Sequence, residues 1–125
     1  MPRGVLIPDQ TSRPCSVVEL AGSDLEQLAQ LKQLLSCQWL DAAVVPNQAL
    51  GNALLLCDDQ GLLADPPRAT NYLASCLAGV QIVGPAVLVI REGEEIAELP
   101  EPWIELLTHT SHARLVALML DGSRS

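Results

Sequence analysis

The apolar residues of this chain come in short segments cut off by Gly, Pro, Asp or Asn, and the segments do not share one period. Val5-Leu6-Ile7, Ser16-Val17-Val18-Glu19-Leu20, Trp39 to Val45, Ala53 to Cys57 and Gln81 to Arg91 are β-branched or compactly apolar, as strands are. Other stretches space their apolar residues three and four apart, as on one side of a helix. The two periods mix without the regular alternation that builds a parallel sheet. The expected fold is therefore α+β, a single domain over residues 1–120 with a mainly antiparallel sheet of about five strands and two or three helices. Residues 121–125 are expected to form a disordered tail. At 125 residues the chain suits one core that buries roughly two-thirds of its unfolded surface.

The breakers locate the elements. The segment from Pro8 to Pro14 joins the first two strands as a hairpin. Ser23-Asp24-Leu25-Glu26 has the form of a capping box, in which hydroxyl and carboxylate satisfy the orphan amides of a helix start. Leu25, Leu28, Leu31 and Leu35 then share one face, with Gln27, Gln30 and Gln33 off it, and the helix runs to about Ser36. Pro46-Asn47 is a turn signal, followed by a loop over residues 48–52. Asp65 is an N-cap candidate before Pro66, and Ala69, Tyr72, Leu73, Cys76 and Leu77 line one face up to Gly79, which predicts a second helix over 67–78. Gly84-Pro85 within the run from Gln81 to Arg91 implies a bulge or an edge position. Glu92 to Glu95 is a solvated turn, Ile96 to Leu99 a short returning strand, and Pro100-Glu101-Pro102 opens a helix carrying Trp103, Ile104, Leu106 and Leu107. Arg114 to Leu120 is apolar throughout; its Leu, Met and Ala content leans towards helix.

Charge and composition exclude several function classes. Seven basic against fifteen acidic residues leave a net charge of −8, which repels nucleic-acid phosphates and anionic membrane surfaces. Trp39, Trp103 and Tyr72 are the whole aromatic set, so there is almost no stacking surface for exposed bases. No direct nucleic-acid partner is expected. No apolar run approaches the roughly 20 residues of a membrane span, and no charged-then-apolar leader precedes Pro8. Cys15, Cys37, Cys57 and Cys76 show neither C-x-x-C nor finger spacing, so they read as reduced, mostly buried thiols of a soluble cytoplasmic protein with no metal and no cofactor.

Few constellations could carry chemistry. Asp58 and Asp59 are adjacent, so in an extended chain their carboxylates point to opposite sides; with Gln60-Gly61 they read as a solvated turn. His109-Thr110-Ser111 fits one H-x-[ST] element of a two-histidine phosphoesterase, but such a mechanism needs two, and His112 is followed by Ala113-Arg114. The cysteines lack a base nearby in sequence. Arg68 is the one cation placed where the amides at the start of the second helix could join it in holding an anion.

Residues 4 to about 90 resemble an uncharacterised family, domain of unknown function 3846, found mainly in bacteriophage and actinobacterial genomes. The likeness rests on Gly4-Val5-Leu6-Ile7-Pro8, Val17-Val18-Glu19-Leu20, the run from Leu55 to Leu63, Pro66-Pro67-Arg68-Ala69-Thr70 and the run from Ile82 to Val89. In that family the turn usually reads Asn-Glu-Glu-Gly and an asparagine follows the prolines, where this chain has Asp58-Asp59-Gln60-Gly61 and Arg68. The resemblance implies a phage or mobile-element origin and supplies no catalytic residue. Together these features lead to the expectation of a small, acidic, non-enzymatic binding protein that engages a host protein in the host cytoplasm. The second expectation is a binder of a small nucleotide or other anion, using Arg68, Thr70 and Asn71. A hydrolase working through His109 or His112 is the third. Trp103 and the apolar final segment also leave a homodimer open.

Overall fold

The computed structural model describes residues 2–10, 13–20, 22–37, 39–46, 52–59, 69–93, 95–111 and 113–117. Strands β1 (Arg3–Ile7), β2 (Ser16–Glu19), β3 (Leu40–Val44), β4 (Ala53–Asp58), β5 (Ala86–Glu92) and β6 (Glu95–Ala97) form one sheet in the order β2-β1-β5-β4-β3, with β6 also paired to β5. Every strand pair is antiparallel. The helices are α1 (Asp24–Leu35), α2 (Tyr72–Ala78), α3 (Glu101–His109) and a short α4 over residues 113–117. The α+β, largely antiparallel architecture expected from the mixed periods is the one observed.

Helices cover both faces of the sheet. Alternate residues of β5 divide between two apolar clusters. Ala86 and Leu88 join Val5, Ile7 and Leu55 under Leu73, Leu77, Ile104, Leu107 and Leu115, from α2, α3 and α4. Val87 and Val89 face the other way, against Leu31 and Leu35 of α1 and Leu20. Because β5 is buried on both sides from Ala86 to Val89 it is apolar without a break as far as Ile90, whereas the edge strand β3 is mostly exposed. Each Leu or Val so buried contributes about 1.5–3 kcal/mol.

This arrangement corrects the reading of Gly84-Pro85. The pair does not bulge a strand, and the strand is central rather than at an edge. Gly84 adopts a φ of 73°, and only an isolated bridge between Val83 and Thr70 precedes it, so the pair ends one segment and lets β5 begin afresh at Ala86.

The buried face of α1 is also not the one its leucine spacing suggests. Ser23 caps the helix by accepting the Glu26 amide, as expected, and Ser36 ends it in the left-handed region, its N–H directed to Gln33 and Lys32. Within those bounds Gln27, Leu31 and Leu35 form the buried stripe, while Leu25 and Leu28 face solvent. Gln30, beside the stripe, donates through Nε2 to the Glu19 carbonyl at 2.6 Å, tying the helix to the outer strand. The helix has rolled so that its C-terminal leucines reach Val87 and Val89.

At the start of β1, Arg3 joins the strand to α3. Its guanidinium donates to Glu98 at 3.0 Å and to Glu101 at 2.6 Å. The hydrogen bonds from Arg3 hold the Glu98 carboxyl below the usual carboxylate range. The group is exposed, so its main effect is to fix where α3 starts relative to the sheet.

Candidate functional site

The residues expected to form an anion site meet a different structure at the start of α2. The helix does not begin near residue 67: residues 69–71 are non-helical, and Tyr72 is its first residue. Asn71, rather than Asp65, is the N-cap. Its side chain is 1% exposed, accepts the Ala74 amide at 3.0 Å through Oδ1, and donates through Nδ2 to the carbonyls of Ile7 at 2.9 Å and Gly84 at 3.1 Å. Both amide hydrogens are therefore spent within the protein, and Asn71 has no donor left for a ligand. Thr70 bridges to Val83, and its hydroxyl lies 3.4 Å from Gln81 Nε2. Arg68, like Asp65, lies outside the described residues. Leu73, Ala74, Leu77 and Ala78 are the buried face of α2, while Tyr72 is exposed and Cys76 half-buried, so the helical register predicted from Ala69 and Tyr72 is shifted.

The other candidates are dispersed. Asp58 closes β4, and the following Asp59 amide donates to the Trp39 carbonyl, which extends the pairing with β3 by one bond. Gln60 and Gly61 are outside the described residues, as are His112 and the tail beyond residue 117. No group of three or more His, Cys, Asp or Glu side chains able to hold a metal ion occurs among the described residues. Nor, among them, is any helix long and apolar enough to cross a membrane.

None of the four cysteines is in a disulfide. Burial pushes the Cys15 thiol up to about 11, and burial followed by the nearby carboxylates of Asp41, Asp58 and Asp59 does the same for Cys57. Neither is a thiolate at neutral pH, which makes both inert as nucleophiles. Brief alkylation with iodoacetamide at pH 8 is expected to modify Cys37 and Cys76 in the native protein, and all four cysteines after unfolding. Intact-mass analysis reads this directly, and rapid native modification of Cys57 would contradict it.

What the leucine pattern concealed is a surface. Leu25 is 81% exposed and Leu28 43%, on one side of α1. Lys32, one turn further, places its ammonium 5.8 Å from the ring centroid of Trp39, which is itself 58% exposed. The result is an outward strip of two leucines leading to a tryptophan steadied by a cation–π contact. The sequence signal was present in Leu25 and Leu28, but it reads equally well as core.

A sheet flanked on both faces by helices, with exposed leucines on the outer side of one of them, defines an α+β domain. No family model and no curated protein matches the sequence. Among solved structures, the chain is similar to the crystal structure of the small RNA methyltransferase HEN1, with a TM-score of 0.65 and 16% sequence identity. The match covers 80% of this chain and 15% of that one, and it shows a shared fold.

Proposed function

We propose that this protein is a non-enzymatic binding protein, phage-encoded, that engages and modulates a host protein. The observation that carries this reading is the exposed strip Leu25, Leu28 and Trp39. Single exposed apolar side chains are ordinary, but three large ones in line with a tryptophan at one end are what an interface core is made of. Exposed Glu26 and Gln33 on the same helix supply a polar rim. The net charge of −8 would speed encounter with a partner whose contact surface is basic. The methyltransferase activity named for HEN1 belongs to a chain of which this one spans a small part, and it is not carried over.

The test compares wild-type protein with a Leu25→Ser, Trp39→Ala double variant, immobilised side by side and exposed to lysate of a bacterial phage host. Both positions are solvent-facing, so the variant is expected to fold. Wild-type protein should retain one defined host protein saturably, and the variant should hold it about tenfold more weakly or worse, as for loss of a tryptophan anchor. Equal retention by both proteins, or none by either, would overturn the reading.

A further inference from the structure

The corner between α3 and α4 encloses a cleft of about 440 Å³ lined by Leu106, His109, Thr110, Ser111 and Arg114. That volume lies within the range of small-molecule sites. The Ser111 hydroxyl oxygen accepts the Arg114 amide at 3.3 Å and the Ser111 carbonyl accepts the Leu115 amide, so the corner is fixed by its own backbone. With its oxygen used as an acceptor, the Ser111 hydroxyl keeps its hydrogen to donate. Among the described residues, no hydrogen bond or ion pair engages the His109 ring, the Thr110 hydroxyl or the Arg114 guanidinium.

The rest of the molecule makes this corner unusual. Acids outnumber bases by eight in this chain, yet none of the described lining residues is a carboxylate. Three other cations are engaged: Arg3 by Glu98 and Glu101, Lys32 over Trp39, and Arg91 through a 2.6 Å bond from Nε to the Gly93 carbonyl. Arg91 lines a second cleft, of about 350 Å³, with its Nε–H directed to the Gly93 carbonyl. The partial negative charge at the C-terminus of α3 accounts for a histidine there. It does not account for an arginine and two hydroxyls lining the same cleft.

We propose that this cleft binds a small phosphorylated molecule. The planar fork of Arg114 suits two phosphoryl oxygens at once, the Thr110 and Ser111 hydroxyls can donate to the remaining acceptors, and His109 adds a further N–H. Leu106 offers an apolar wall for the organic part. The site is independent of the Leu25–Trp39 surface, which belongs to the opposite face of the sheet, so either can fail without the other.

Two-dimensional amide NMR of the full chain, titrated at constant ionic strength with inorganic phosphate, phenyl phosphate and chloride, tests this. Saturable shifts at Thr110, Ser111 and Arg114 are expected for both phosphates, stronger for phenyl phosphate, and none for chloride. Arg114→Gln and His109→Ala should each weaken binding, the former by about tenfold, since a charge-assisted bond pair is lost. Their thermal midpoints should stay unchanged, because neither side chain has a structural partner among the described residues. Shifts that do not saturate, that spread over all basic residues including Arg13, or that keep the wild-type midpoint in Arg114→Gln would overturn the proposal.

Discussion

Replacing Asn71 with alanine is expected to destabilise the protein by about 3–5 kcal/mol, a large part of the ~5–15 kcal/mol that holds a domain of this size together. The side chain links three places: the end of β1 through the Ile7 carbonyl, the first turn of α2 through the Ala74 amide, and the turn before β5 through the Gly84 carbonyl. Truncation removes a buried partner from all three and loses the helix cap as well. The neighbouring backbone shares the load, with the Asn71 amide donating to the Ile82 carbonyl at 2.8 Å and the Gly84 amide to the Ala69 carbonyl at 2.8 Å, so the effect should spread as loosening of the whole segment 69–84. Chemical denaturation of Asn71→Ala measures the loss.

The isosteric Asn71→Asp variant sharpens the test. It keeps the acceptor for Ala74 but turns the donor into a carboxylate oxygen facing two carbonyls, so it should be at least as unstable as Asn71→Ala at pH 7. Its protonated form regains one O–H donor and loses the charge. The carboxyl introduced there would thus titrate at a higher pH in the folded chain than in the unfolded one. Its destabilisation should be smallest below the unfolded carboxylate range and should grow as pH rises through the folded value. A ligand-binding role for Asn71 without a structural one would leave both variants close to wild-type stability.

A second large effect is expected at Gly4, which lies in β1 beside the central strand. A Cβ at this position would stand 2.7 Å from the Leu88 carbonyl oxygen and 3.1 Å from Val89 Cγ1. The Leu88 oxygen belongs to the backbone of a strand buried on both faces, so it cannot move aside cheaply. Gly4→Ala should therefore cost about 2–3 kcal/mol by overpacking, a fall of order 10 °C in thermal midpoint. Gly22, ahead of α1, has no atom within 4 Å of where a methyl group would stand, and Gly22→Ala should be neutral or stabilise by up to ~1 kcal/mol. Similar midpoints for the two variants would show that close approach of β1 to β5 is not what selects glycine at position 4.

The elements themselves were largely legible because their signals are local. Period-two segments became β1 to β4, Ser23 capped α1, Pro100 preceded α3, and Gly79 stopped α2 in a left-handed conformation with a φ of 73°. The start of α2 differs from the expectation because Asp65-Pro66 satisfies the local capping rule, whereas the cap observed is Asn71. The choice of Asn71 depends on the Ile7 carbonyl, 64 positions away in the chain. Likewise Leu25 and Gln27 exchanged roles because a helix's buried side is set by the surface beneath it. Here that surface is Val87 and Val89, which only sheet assembly brings under Leu31 and Leu35.

The candidate sites divide along the same line. His109, Thr110, Ser111 and Arg114 are neighbours in sequence, yet only the packing of α3 and α4 leaves an open cleft between them. The Leu25–Trp39 strip needed the fold to turn two predicted core leucines outward. By itself the sequence determined the α+β class, most element positions, the acidic balance and the identities of the side chains available for chemistry, since these follow from composition and from interactions within a few residues. Tertiary structure alone decided the strand order that puts β5 at the centre, the faces that are buried and the internal use of Asn71. These depend on contacts between segments far apart in the chain, whose free energy no local pattern records.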